Sequence, residues 1–372
     1  MKIFLISNMY PSNTNPEYGV FVKNFETSLS LSYKIDFSVK SVISGRGKNK
    51  VDKIIKYLNL YISIIFKGLF KKYDLIYVNY GTHCSIPLLI LLFFVKRKMV
   101  INIHGADIPS LQSGNMESER IHKILFPFFK KLSKKADLLV SPSKYYKTQI
   151  SKKLDFSEDL IHVYPSGGIN SKIFMPLDKN ECKNRFDLNK DDFVIGYAGG
   201  IKIGKGWDIY LKSLKILKEK GIKFKSLVSG TGHDVQNFLN MVKELDLEKE
   251  VNYLGQVQQK DLCYIFNSFD VFIFPTFVES LGLSGIEALA CGVPVIGSNI
   301  YPLKDYIFDN NNGFLFEIGN ENDLADKIIK FYNLSVLEKE NFKLNSLKIS
   351  SEYKSEIVNE DIFFRLNQII KT

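Results

Sequence analysis

The chain has 372 residues, too many for one comfortable hydrophobic core and suited to two domains of roughly 150–200 residues each. Hydrophobic residues make up 45% and charged residues 24%. With no low-complexity tract, solenoid-spaced repeat or disordered tail, that balance excludes fibrous and disordered classes. The net charge of +10 is uneven: residues 1–170 carry 25 Lys+Arg against 12 Asp+Glu, and the remainder 25 against 28. The excess positive charge therefore lies in the first half, pointing there to a phosphorylated acceptor, an acidic membrane surface or nucleic acid.

The chain opens on Met1-Lys-Ile-Phe-Leu-Ile-Ser-Asn8, an apolar run too short for a signal peptide and followed by polar residues, which reads as a buried first strand. Further β-branched apolar runs follow at 35–43, 74–79, 99–104, 137–142 and 161–164. In the second half they fall at 193–198, 224–229, 251–254, 271–274, 294–297 and 314–316. Helical-period stretches separate them, which makes the chain α/β, with two doubly wound Rossmann-like domains.

One intervening helix shows Val51, Ile55, Leu58, Ile62, Ile65 and Leu69 in steps of four and three, with Lys50, Lys53, Lys56 and Lys67 off that stripe. It reads either as an ordinary surface helix whose charged face is solvated or as a basic amphipathic helix on anionic lipid. The run from Ile86 to Val95, closed by Lys96-Arg97-Lys98, falls short of the ~20 apolar residues that span a bilayer. It is a buried helix or one that dips into a membrane surface.

The turn-rich stretch Tyr164-Pro-Ser-Gly-Gly-Ile-Asn170 marks the hinge. The expected domains are 1–170 and 171–354, with a C-terminal helix at about 355–372 packing back on the first. Open α/β sheets bind ligands at the carboxyl ends of their strands, so two such domains facing each other place an active site in the cleft between them. Cys84, Cys182, Cys263 and Cys291 form no C-x-x-C pair, which argues against a zinc site or a disulfide framework and favours the cytoplasm.

The chemistry concentrates in the second half. In Phe193-Val-Ile-Gly-Tyr-Ala-Gly199-Gly200-Ile-Lys202-Ile-Gly204-Lys205-Gly206-Trp207 a strand enters a glycine-rich turn with two lysines, and a helical pattern follows. Glycines let backbone N–H groups approach a phosphate, and Lys205 supplies a point charge. Gly199-x-x-x-x-Gly204-Lys205 matches the start of a Walker A motif, but Gly206 stands where Ser or Thr would hold magnesium, against an ATPase. Gly230-Thr-Gly232 again puts flexible backbone at a strand's carboxyl end.

The most informative stretch runs from Val271 through Pro275, Glu279, Gly282, Leu283, Ser284 and Glu287 to Pro294. A strand ends in Pro-Thr, a loop carries Glu279, and a helix starting near Leu283 carries Glu287. The amides of Gly282, Leu283 and Ser284 at that helix start are placed to receive a diphosphate, and Glu287 to accept hydrogen bonds from a ribose diol.

This stretch resembles the E-x7-E signature of retaining glycosyltransferases of family four, and Gly230-Thr-Gly232, Val251-Asn-Tyr-Leu-Gly255 and Ala288-Leu-Ala-Cys-Gly-Val-Pro294 stand in that family's order. The resemblance implies the two-domain GT-B fold and transfer of a sugar from a nucleoside diphosphate, UDP or GDP, to an acceptor hydroxyl; the basic first half and the short apolar run point to a lipid-linked saccharide of surface-polysaccharide assembly as that acceptor. It implies that Glu287 binds the donor ribose, that the amides at Gly282, Leu283 and Ser284 meet the diphosphate, that Glu279 faces the transferred sugar, and that Lys205 neutralises the leaving group. The family usually has Arg five residues before that lysine; here the position is Gly200, with Lys202 nearby as a substitute. His104, in Ile101-Asn-Ile-His-Gly-Ala-Asp107 and expected to end a strand, matches a histidine the family sets against the donor sugar. Gly19 matches the family's glycine-containing acceptor loop, of which 10–21 is the counterpart.

No Asp-x-Asp motif occurs, so neither a metal nor another cofactor is expected. The expected location is the cytoplasm, with peripheral contact to the inner face of the membrane as an option. A sugar-nucleotide epimerase or phosphorylase would share this fold. A nucleic-acid-binding protein would use the basic half, but no helix-turn-helix or aromatic-interleaved basic strand appears, so no nucleic acid partner is expected.

Overall fold

A computed structural model of the chain describes residues 1–16, 18–108 and 116–371. It forms two compact units, Met1–Gly168 joined by the C-terminal helix from Glu356, and Ile169–Ser355. Glu17 of the 10–21 loop and Thr372 of the expected 355–372 helix lie outside the described residues.

Unit 1 runs β1 (Lys2–Tyr10), α1 (Val20–Tyr33), β2 (Asp36–Ser44), α2 (Lys50–Phe70), β3 (Leu75–Asn79), α3 (Gly81–Phe94), β4 (Lys98–Asn102), α4 (Met116–Ser133), β5 (Leu138–Ser141), α5 (Lys144–Leu154) and β6 (Ile161–Val163). Its six strands are parallel, in the order β2-β1-β3-β4-β5-β6. Ile3 to Ile6, Leu75 to Val78 and Met99 to Ile101 are fully buried, as a parallel sheet covered on both faces requires. Right-handed crossovers then dictate the helix layers. The β1-to-β2 step moves one way along the sheet and the later steps move the other, so α1 covers one face and α2 to α5 the opposite face.

Unit 2 runs α6 (Lys179–Asn184), β7 (Val194–Ala198), α7 (Trp207–Glu219), β8 (Lys225–Ser229), α8 (Val235–Glu244), β9 (Val251–Gly255), α9 (Gln259–Ser268), β10 (Val271–Phe274), α10 (Leu283–Ala290), β11 (Val295–Ser298), α11 (Tyr301–Lys304), β12 (Gly313–Phe316), α12 (Glu321–Tyr332) and α13 (Val336–Ser351). The order β12-β11-β10-β7-β8-β9 reverses direction between β7 and β10, and that switch point is where an open α/β sheet forms a ligand crevice. The last helix, α14 (Ser355–Lys371), belongs to unit 1 from Glu356. Val358, Ile362 and Leu366 join the core beside α1, and Tyr164 Oη donates to Asn359 Oδ1 at 2.7 Å. The four cysteines are buried free thiols.

Two expectations need correction. β4 stops at Asn102, so His104 does not end a strand. It caps a single 3-10 turn, Gly105–Asp107, because Asp107 reaches back to the His104 amide. The α2 stripe also does not pack inward. Leu60, Ile64 and Gly68 are its buried residues, whereas Val51, Ile55, Leu58, Ile62 and Leu69 are exposed. The helix carries two apolar series at helical spacing, and Tyr57, Leu60, Tyr61, Ile64 and Gly68 form the one that faces the sheet.

Candidate active site

The switch point of unit 2 is built by two loops that glycines allow to touch. Gly206 begins α7 at φ 66°, and a Cβ there would overlap the Pro275 carbonyl oxygen. Phe277 N–H donates to the Gly204 carbonyl at 2.9 Å, and Thr276 Oγ1 donates to the same oxygen at 3.3 Å. These bonds tie the loop after β10 to the loop after β7, and they bring Lys205 Nζ and Glu279 Oε1 into an ion pair. Both side chains are largely buried, 24% and 16% exposed, so the pair is weakly screened compared with a surface contact.

Gly282 opens α10 at φ 89°; a Cβ would stand 2.6 Å from the Phe274 ring and 2.9 Å from Tyr306 Oη. Tyr306 Oη donates to the Gly282 carbonyl at 3.0 Å and holds the turn. The helix start leaves the N–H groups of Leu283 and Ser284 without intrahelical partners, an arrangement suited to anions. One turn on, Glu287 lines a hollow of about 290 Å³ with Gly200, Gly230, Ser284, Gln256 and Phe266. Burial pushes its carboxyl up to about 7.

Gly230 sits at φ 146° against the Gly199 carbonyl, where any Cβ would overlap it, and Gly232 lies equally close to the Ile201 carbonyl. Gly230 lines the hollow; Gly232 is not among its lining residues. Lys202 is exposed, and its Cε lies 3.4 Å from where a Cβ of Gly200 would stand. Its stem thus runs past the bare backbone that lines the hollow.

Unit 1 makes its own strand-end site at its switch point, between β1 and β3. Gly19 begins α1 at φ 72°, where a Cβ would lie 2.6–2.7 Å from the Met9 carbonyl group. Nearby, the His104 ring packs between Phe21 and Tyr80, with centroids 4.7 and 4.5 Å away. Its Nε2 lies 3.1 Å from Asn79 Oδ1, and the ring accepts the Asp107 N–H. Desolvation pushes the imidazole down to about 3, so it is neutral at physiological pH and Nε2–H donates to Asn79.

Asp107 holds this turn in place. Its carboxylate accepts from His104 N–H at 2.9 Å, Thr82 N–H at 3.2 Å and Thr82 Oγ1 at 3.0 Å. Burial pushes it up to about 6 against those bonds.

Residues 178–347 match the family model described as "Glycosyl transferases group 1". They form a domain of that family. A capsular polysaccharide biosynthesis glycosyltransferase, CapM, of Staphylococcus aureus is 31% identical over 207 residues, 55% of this chain and 54% of that protein. The chain spans about half the length of the first curated relatives it matches. Two solved structures share the fold: sucrose-phosphate synthase of Thermosynechococcus elongatus (TM-score 0.81, 17% identity, covering 100% and 99% of the two chains) and Anabaena HepE in complex with UDP (TM-score 0.76, 17% identity, 99% and 100%). The fold is GT-B, an α/β architecture with two Rossmann-like units.

Within the group 1 glycosyl transferase domain, Gly200, Gly230, Ser284 and Glu287 meet at one hollow, and Lys205 meets Glu279. Gly282 and Leu283 open the helix that carries Glu287. Gly19 and His104 lie in unit 1. Gln256, Val257, Leu262 and Phe266, which belong to none of the sequence motifs, complete the hollow. Their signal was positional: they follow Gly255, which closes β9 at φ 69°, in the same strand-end layer as the glycine loops. Asn79 and Asp107 likewise stand in no motif, because each acts through a contact 25 residues away in sequence.

Proposed function

We propose that the protein is a retaining glycosyltransferase that moves a sugar from a nucleoside-diphosphate sugar, UDP before GDP, to a saccharide hydroxyl, with a lipid-linked acceptor of surface-polysaccharide assembly preferred. The observation that carries the reading is the convergence at the β7–β10 switch point. A lysine, the open N-terminus of α10 and a glutamate over a hollow offer a cation for phosphate, amides for phosphate and an acceptor for a diol. HepE, of the same fold, has been seen with UDP and with UDP-glucose, which supports the choice of donor. The resemblance to CapM supports the choice of pathway class.

In this reading Glu287 accepts the ribose hydroxyls, while the amides of Leu283 and Ser284 and the Lys205 ammonium receive the diphosphate. Lys202 serves beside Gly200 as the second cation, a point charge without the fork that an arginine would bring. Glu279 orients Lys205 in the free protein and turns to the sugar hydroxyls once the diphosphate takes the lysine. The bond from the anomeric carbon to the β-phosphate oxygen breaks as the acceptor oxygen bonds to that carbon, and the acceptor proton passes to the departing diphosphate. His104 reaches the sugar by exchanging its Nε2–H bond to Asn79 for one to a sugar hydroxyl. Charge developing on the leaving oxygens is met by Lys205 and helix amides, so we place the reaction among those that proceed without a metal ion.

The test is a donor screen read by release of free nucleoside diphosphate and by proton NMR of the product. Release only with acceptor present, an α-linked product from an α-linked donor, and no loss of rate in EDTA are expected. Isomerised donor with no diphosphate released would instead make it an epimerase, and an inverted linkage would remove the retaining assignment.

A further inference from the structure

Three helices on one face of the unit 1 sheet expose apolar side chains along their outer surfaces. α2 turns Ile55, Leu58, Ile62, Phe66 and Phe70 outward, with Ile62 and Phe70 66% and 69% exposed. α3 ends in Phe93 and Phe94, the former 86% exposed, and α4 adds Ile124 and Phe128. α2 packs on α3 and α3 on α4, so these side chains share one face. Gly68 lets the first pair approach closely, since a Cβ there would run into Leu91.

The same face is bordered by cations, and α4 carries four basic residues against two acids, Glu117 and Glu119. Residues 50–72 carry six lysines and one acid, Asp52, while residues 81–98 carry three basic residues and no acid. Asp52 is already engaged, accepting from the Lys48 N–H at 2.8 Å and lying 3.9 Å from Lys56 Nζ. Lys71 and Lys72 follow α2, Lys96 and Arg97 follow α3, and Lys130 and Lys131 close α4; all are exposed. Helices in this sheet end where the next strand begins, so these cations gather at the end of the unit opposite the His104 turn. There Lys96, Arg97, Lys98 and Lys135 line a hollow of about 380 Å³ together with Leu92 and Val95. Its one acid, Asp137, pairs with Lys98 at 3.2 Å.

We propose that the α2–α3–α4 face docks on an anionic lipid bilayer, its isoleucines and phenylalanines entering the acyl boundary while the lysines and Arg97 meet lipid phosphates. Such a surface gains from apolar burial and from attraction to acidic lipid at once. Exposed aromatic and aliphatic side chains at this density have no use in a purely electrostatic contact. A second copy is disfavoured by charge, because a two-fold contact would set each basic border against itself. The proposal stands apart from the sugar-transfer reading, since it uses no residue of either strand-end site.

Co-sedimentation of the full chain with vesicles tests it. Binding is expected to equal mixtures of phosphatidylglycerol and phosphatidylcholine, on the order of tenfold weaker to phosphatidylcholine alone, and weakened by salt. Phe66→Ser/Phe70→Ser/Phe93→Ser and, separately, Lys71→Glu/Lys72→Glu/Arg97→Glu should each lose on the order of tenfold in vesicle affinity while keeping the wild-type melting temperature. Wild type that ignores anionic vesicles, or variants that bind as well as wild type, would overturn the proposal. So would a concentration-dependent dimer that the phenylalanine variant abolishes in the absence of any vesicle binding.

Discussion

The two units use one construction rule and different chemistry. In each, loops at the carboxyl ends of parallel strands meet at a switch point, and a glycine in the left-handed region opens the helix there, Gly19 in unit 1 and Gly206 and Gly282 in unit 2. Unit 2 fills the point with charge: an ion pair, a helix start and a buried carboxyl. Unit 1 fills it with a neutral imidazole held between two aromatic rings and fixed by a buried aspartate. The contrast fits the proposed roles, with Lys205, Glu279 and Glu287 left to meet a ligand and Asp107 holding the turn around His104 through its bonds to His104 and Thr82.

Variants can break that contrast, beginning with the largest effect. Lys205→Ala should lower turnover by about 10²–10³-fold, the usual loss when a donor to developing charge is removed, with little change in melting temperature. A variant of full activity would leave the leaving group to other residues. Asp107→Ala should act the other way. It strands the buried Thr82 N–H and should cost about 1–3 kcal/mol in denaturant unfolding; unchanged stability would show that the His104 turn holds itself.

The smallest effect concerns pH. Burial raises the free Glu287 carboxyl to about 7, and ribose hydroxyls favour its ionised form. Donor binding should therefore release a proton below that pH and tighten as pH rises from about 6 to 8, by at most about tenfold. Calorimetry in buffers of different ionisation enthalpy reads the proton directly. The same shift has the opposite sign for stability: its contribution is fully present below the carboxyl's ordinary range and is lost as pH rises through 7.

Much of this was legible in the amino-acid order because strand runs and glycine loops are local signals. The twelve strands among the described residues lie within the apolar runs or a few residues beyond them, and α10 begins at Leu283, where the turn chemistry around Gly282 puts it. What could not be read depends on which surface meets which. α2 is apolar on two faces, and only packing against α3 and the sheet decides that Leu60 and Ile64 go inside while Ile62 and Phe66 stay out. The His104 turn was hidden for the same reason, since its anchor is the contact of Asp107 with Thr82. The hollow was half visible: its glycines stand in motifs, but Gln256 and Phe266 reach it from a strand end and a helix that carry no signature of their own.

The central claim is that Glu287 grips the nucleotide of a sugar donor, and titration calorimetry of Glu287→Ala with UDP and GDP measures it most directly. Losing charge-assisted hydrogen bonds of this kind predicts a fall in affinity of about 10–100-fold for the nucleotide that wild type binds, with the melting temperature held. Affinity equal to wild type for that nucleotide would contradict the assignment.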